Sequence, residues 1–136
     1  MDGVKTGNWR EFSWERLYRG VEQAILPTGT EAMSCMLHRI ENGHEVRPRT
    51  HESEQLVLIL AGECDYYVAG RSYHLTAGSW LTIPADAEHY IYVYDSTEPC
   101  VEVVVCAPAC PPLSSELPDF VAAILTSEKA SRQHDQ

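Results

Sequence analysis

Between Glu31 and Pro108 the chain is cut into short β-rich runs, with a turn signal about every eight to twelve residues. The runs are Met33–Ile40, Leu56–Leu60, Asp65–Val68, Ser72–His74, Trp80–Ile83, His89–Tyr94 and Val101–Cys106. Between them lie Glu41-Asn42-Gly43, Ala61-Gly62-Glu63, Ala69-Gly70-Arg71, Ala77-Gly78 and Pro84-Ala85-Asp86. Glycine turns such corners because it takes a positive φ without steric cost. Short antiparallel strands leave edges exposed unless the sheet closes or doubles, so the pattern predicts an all-β jelly-roll or barrel.

The flanks read differently. Residues 1–30 form a polar lead-in expected to pack on the barrel, with Trp9, Phe12 and Trp14 as its anchors. Within it, residues 17–26 suit either a strand or a short helix. The barrel is expected over residues 31–112. Beyond Pro111-Pro112, residues 113–136 predict a short C-terminal helix, with Phe120, Val121, Ile124 and Leu125 on its apolar face, and then a tail. At 136 residues the chain suits one domain with one core.

Charge narrows the partners. Lys and Arg number 10 against 20 Asp and Glu, a formal net charge of −10. Such a surface argues against non-specific binding to nucleic acid or anionic membrane. The longest apolar run, Leu56 to Ala61, is far too short to span a bilayer, and Met1 to Arg10 has no apolar stretch of the secretory kind. A cytoplasmic location is the expectation. The five cysteines form neither a CxxC pair nor a zinc-like set, and are expected to be reduced thiols packed as small hydrophobes.

Two polar clusters interrupt the apolar runs: Arg47-Pro-Arg-Thr-His51-Glu-Ser-Glu-Gln55 and Ile83-Pro-Ala-Asp-Ala-Glu-His89. Alternate residues of an extended segment share a face, which groups Arg49, His51, Ser53 and Gln55. In the second cluster His89, Ile91 and Val93 share one face and Tyr90, Tyr92 and Tyr94 the other. Leu56, Leu58 and Leu60 alternate with Val57 and Ile59. If Gln55, Val57 and Ile59 face the barrel, the leucines need another cover, and a homodimer through this sheet supplies one. The C-terminal helix is the alternative cover.

The stretch from Gly43 to His89 resembles the two motifs of the cupin family. The first motif is met by Gly43, Arg49-Thr50-His51, Gln55 and Gly62. The second is met by Gly70, Thr76-Ala77-Gly78, Ile83-Pro84 and His89. The resemblance implies a divalent transition metal (Zn, Fe, Mn or Ni) on His51, Gln55 and His89. It departs at Arg49, which stands where the family's first histidine is expected; a guanidinium offers no lone pair to a metal. Ser79 stands where the family usually has Asp. Arg49 is then either a cationic clamp for a carboxylate substrate or a rim residue paired with Glu52 or Glu54. Glu54 and a tyrosine of the barrel wall are the candidate bases. His38, on a strand before the motifs, could face inward.

The implied activity is that of a small metal-dependent enzyme on a small oxygenated substrate of the sugar-acid or keto-acid kind, with isomerase, lyase and dioxygenase chemistries all open. The alternative is a non-catalytic small-molecule binding or sensor protein with a degenerate metal site.

Overall fold

The computed structural model describes residues 3–114. After a turn of 3-10 helix at Trp9–Glu11, nine strands follow: β1 Glu15–Tyr18, β2 Val21–Leu26, β3 Ser34–Ile40, β4 Glu54–Ala61, β5 Glu63–Val68, β6 Arg71–Thr76, β7 Trp80–Ile83, β8 His89–Tyr92 and β9 Cys100–Ala107. They form a six-stranded sheet in the order β1-β2-β3-β9-β4-β7 and a three-stranded sheet in the order β6-β5-β8. Every pairing is antiparallel. The fold class is therefore all-β, as the turn rhythm implies.

Alternation decides which side chains go inside. On β4, Gln55, Val57 and Ile59 are buried while Leu58 and Leu60 are exposed. On β9, Cys100, Glu102, Val104 and Cys106 are buried, with the intervening valines half-buried. Met36 and Ile40 from β3, Tyr66 and Val68 from β5, and Val93 beyond β8 complete a core between the two sheets. Each buried aliphatic side chain of this kind contributes about 1.5–3 kcal/mol.

Turn chemistry sets the corners. The β5–β6 hairpin closes on Ala69 and Gly70, both at positive φ, the geometry that matches the strands' own twist. Gly62 joins β4 to β5 at φ +74°, and a Cβ there would stand 2.5 Å from the Pro99 carbonyl oxygen. Only a glycine fits that close approach of two backbones.

The lead-in is less separate than the sequence suggests. Residues 15–26 supply β1 and β2, and β2 pairs with β3 along its whole length, from Val21 opposite Ile40 to Leu26 opposite Cys35. The segment is thus part of the six-stranded sheet. The reason is local: Leu17, Val21, Gln23 and Ala24 are buried, and Gly20, at φ +74°, turns the chain between the two strands. The expected C-terminal helix lies outside the described residues.

The cysteines depart from expectation. Cys106 and Cys110 are joined as a disulfide, their Cα atoms 5.9 Å apart. Cys106 faces inward at the end of β9, and the chain turns back past Pro108, which carries Cys110 to it. Sequence spacing alone does not reveal that turn. Cys64 and Cys100 are buried free thiols; contact with Cys100 and then burial push the Cys64 thiol up, leaving it an inert packing residue.

Candidate functional site

One end of the space between the sheets opens as a small cavity of about 60 Å³. Its wall brings together residues far apart in sequence: Tyr18 from β1, His38 from β3, Arg49 and His51 from the loop before β4, Gln55 from β4, Tyr66 from β5, His89 from β8 and Glu102 from β9.

Near the mouth, the segment around residue 50 lies along the start of β8. Arg49 and His89 form an isolated antiparallel bridge, exchanging N–H to carbonyl hydrogen bonds of 2.9 Å each way. The Asp86 amide donates to the His51 carbonyl at 2.7 Å. This pairing sets the His51 and His89 rings side by side, 5.2 Å between centroids. Burial first, then the charges of His89 and Arg49, pull His51 down to about 4. Burial also pulls His89 below the usual range, with Arg49 adding to it against the Ala87 hydrogen bond and the Glu102 charge. Both rings are therefore neutral at pH 7. His89 Nδ1 donates to the Ala87 carbonyl at 2.9 Å, which leaves Nε2 as the nitrogen with a lone pair to offer.

Gln55 is buried on the inner face of β4, and its Nε2 donates to Cys106 Sγ at 3.3 Å, leaving the amide oxygen as a donor atom for a ligand. Arg49 also lines the cavity. Its guanidinium donates to the Tyr18 hydroxyl at 2.9 Å, a neutral partner, and no carboxylate among the described residues pairs with it. Neither Glu52 nor Glu54 reaches it: both are exposed, and Glu54, the first residue of β4, points away from the cavity. Arg47 stacks 3.8 Å over the Tyr18 ring and is ion-paired to Glu45. His44 is structural: it donates through Nδ1 to the Glu45 carbonyl at 2.7 Å and accepts the Val93 amide at Nε2 at 3.1 Å.

Deeper in, a row of polar side chains crosses three neighbouring strands. Gln23 on β2 stands opposite His38 on β3, and His38 stands opposite Glu102 on β9. His38 Nε2 lies 3.1 Å from Gln23 Oε1, and His38 Nδ1 lies 2.8 Å from Glu102 Oε2. From the facing sheet the Tyr66 hydroxyl donates to Glu102 Oε1. Burial, then the Glu102 charge, push the Tyr66 phenol up, so it remains a proton donor. Gln23, His38, Tyr66 and Glu102 are each no more than 4% exposed.

Glu102 is the residue that motif reading misses. Its signal is nonetheless present: in Cys100-Val-Glu-Val-Val-Val-Cys106 a single carboxylate sits in the middle of an apolar strand, on the same alternation as Cys100, Val104 and Cys106. A charge in that position is inside or the strand is wrong. Tyr66 is the wall tyrosine that the sequence could not single out from the tyrosines around it. Gln23 carries no signal of its own, since its segment reads equally as helix or strand.

Comparison with known proteins follows the same lines. The cupin-domain family model matches residues 36–106, more than half of the chain. No curated protein sequence matches. In fold the chain is similar to an RmlC-like cupin from Shewanella frigidimarina, at TM-score 0.67 and 18% identity, over 76% of this chain and 89% of that one. It is similar to the polyketide cyclase RemF from Streptomyces resistomycificus, at TM-score 0.67 and 18% identity, over 85% and 88%. It is also similar to KdgF from a Halomonas species, at TM-score 0.64 and 19% identity, over 75% and 94%. With both motifs lying along one barrel and a family match across the barrel strands, the chain belongs to the cupin family.

Proposed function

We propose that this protein is a small cupin enzyme acting on a small oxygenated substrate that carries a carboxylate, of the keto-acid or sugar-acid kind. One observation carries the reading: a guanidinium with no carboxylate partner among the described residues, Arg49, lines the same cavity as two neutral imidazoles, His51 and His89. A half-buried cation with a neutral partner is an anchor for an anion, and a guanidinium grips a carboxylate through two parallel bonds.

The donor chemistry fits a divalent transition metal. No group of three or more His, Cys, Asp or Glu forms a metal site among the described residues. The proposed donor set is His51, His89 and the Gln55 oxygen, supported by His89 being oriented by the Ala87 carbonyl as metal-bound histidines commonly are. Imidazole and amide oxygen suit Zn, Fe, Mn or Ni alike. When bound, such an ion supplies Lewis acidity toward a carbonyl or enol oxygen. Arg49 holds the substrate carboxylate, and the barrel walls exclude water.

The likeness in fold to a polyketide cyclase supports a catalytic barrel. We propose further that the exposed apolar residues Leu58, Leu60 and Trp80 face a second copy of the chain. Leu58 and Trp80 are register partners on β4 and β7 and so share one outer face.

The test is metal analysis of tag-free protein by plasma mass spectrometry, coupled to a pyruvate titration. About one divalent ion per chain is expected, and loss of it in His89→Ala. Pyruvate affinity should fall about 10- to 100-fold in Arg49→Gln, the worth of a charged hydrogen-bonded contact. Protein that takes up no metal on reconstitution, and binds pyruvate equally with and without Arg49, would overturn the reading.

A further inference from the structure

The row Gln23–His38–Glu102–Tyr66 has a proton inventory that its hydrogen bonds determine. Gln23 is held at both ends by one backbone unit: its Nε2 donates to the Leu113 carbonyl at 3.2 Å, and its Oε1 accepts the Leu113 amide at 3.0 Å. Turning the amide over would set donor against donor and acceptor against acceptor, so the oxygen faces His38. His38 Nε2 must therefore carry a proton. On the other side, His38 Nδ1 and Glu102 Oε2 are 2.8 Å apart, and one proton lies between them, on nitrogen or on oxygen. The pair is an imidazolium with a carboxylate, or an imidazole with a carboxylic acid. In both forms it holds the same proton.

Glu102 is not saturated by these contacts. Its two oxygens accept one bond each, from His38 and from Tyr66, and every carboxylate oxygen has room for a second. Both Glu102 and His38 line the cavity into which Arg49 also faces. His44 provides the contrast within the same chain. It too is buried between two partners, but one is a donor and one an acceptor, so the neutral ring satisfies both with its single proton and holds no second one.

We propose that Glu102 is the general base and acid of this cavity, with His38 as the residue that positions it and shares its proton, and Tyr66 and Gln23 fixing the orientation of the two. The inference rests on the proposed function for the choice of substrate class. In a 2-oxo acid anchored by its carboxylate, Glu102 takes a proton from the carbon next to the carbonyl. The C–H electron pair becomes the C=C bond of the enolate and the carbonyl π pair moves onto oxygen. Return of a proton to the same carbon completes an exchange with no net reaction, and return at another atom completes an isomerisation.

The experiment follows deuterium entering the methyl group of pyruvate in heavy water, by proton NMR, with the full-length protein. Wild type is expected to speed the exchange above buffer. Glu102→Gln, which keeps size and shape, should lose about 100-fold or more, the usual worth of a general acid–base group. Tyr66→Phe should lose less, with its rate-against-pH profile displaced, which a merely structural hydroxyl would not do. Nitrogen NMR of His38 keeps the idea falsifiable should Glu102→Gln fold poorly: in wild type, Nε2 must be protonated. A bare Nε2 would overturn the proposal, as would equal exchange by wild type and Glu102→Gln, including both at the buffer rate. Failure of the two readings is separable. Exchange lost in Glu102→Gln but unchanged in Arg49→Gln leaves the base in place and removes the carboxylate clamp. Pyruvate binding that depends on Arg49, with exchange at background throughout, does the reverse.

Discussion

Three buried histidines of this protein do three different things because of what faces each ring nitrogen. His44 spans a carbonyl and an amide and is a neutral strut between the loop and the chain after β8. Its burial lowers its affinity for protons below the ordinary histidine value. The unfolded chain therefore takes up a proton first as pH falls, and stability is lost from about pH 6.5 downward, through the lowered folded value. His44→Ala should cost about 2–4 kcal/mol through the cavity and the two bonds left unmade, and should flatten the acid limb of the stability curve. Denaturant melts of both proteins between pH 4 and 8 check this; parallel curves would remove His44 as a contributor. At the mouth, Arg49→His would place a third imidazole beside His51 and His89. If His51 and His89 hold a metal as proposed, its affinity should rise, read by competition with a chelator, and an unchanged affinity would show that residue 49 does not face those two rings.

At the scale of elements, β4 and β9 do most of the positioning. Gln55 and Glu102 both sit on inner faces, on neighbouring strands paired from Glu54 opposite Ala107 to Ala61 opposite Val101, with a shift of register after Ile59. The β4–β5 corner maintains that register, because Gly62 passes directly under the chain entering β9. Gly62→Ala should destabilise the protein by about 1–3 kcal/mol, from positive φ together with the backbone collision. Thermal melts measure it; a neutral substitution would mean the corner yields freely. The motif glycine at this place was legible in the sequence for that reason, since its requirement is a backbone one. The outward direction of Glu54 was legible too, from the alternation that turns Gln55 inward, unless a bulge intervened. Whether Glu54 or its neighbours turn inward depends on where regular pairing begins, and β4 begins at Glu54 itself with its side chain outward.

For the molecule as a whole, the outer face of the larger sheet exposes large apolar side chains, the face proposed above to meet a second copy. Leu58, Leu60 and Trp80 are 38, 44 and 66% exposed. Light scattering on the eluting protein should give twice the chain mass, and Leu58→Asp combined with Trp80→Asp should give the chain mass once, with the fold intact by circular dichroism. A monomeric wild type would leave that face to another partner. No helix among the described residues is long and apolar enough to cross a membrane.

The sequence by itself determined the all-β class, the barrel strands from β3 to β9 and the mouth of the site. Those features rest on local rules: alternation assigns faces, glycines mark corners, and two motifs carry Arg49, His51, Gln55 and His89 to one end of the barrel. The tertiary structure alone decided the rest. Gln23, His38 and Glu102 lie far apart in the chain and become neighbours only through the register of β2 on β3 and of β3 on β9. Tyr66 reaches them from the opposite sheet, and Cys110 meets Cys106 only through a turn in space. Strand order is a non-local property, set by how the apolar faces of nine strands can all be covered at once, and no window of sequence contains it.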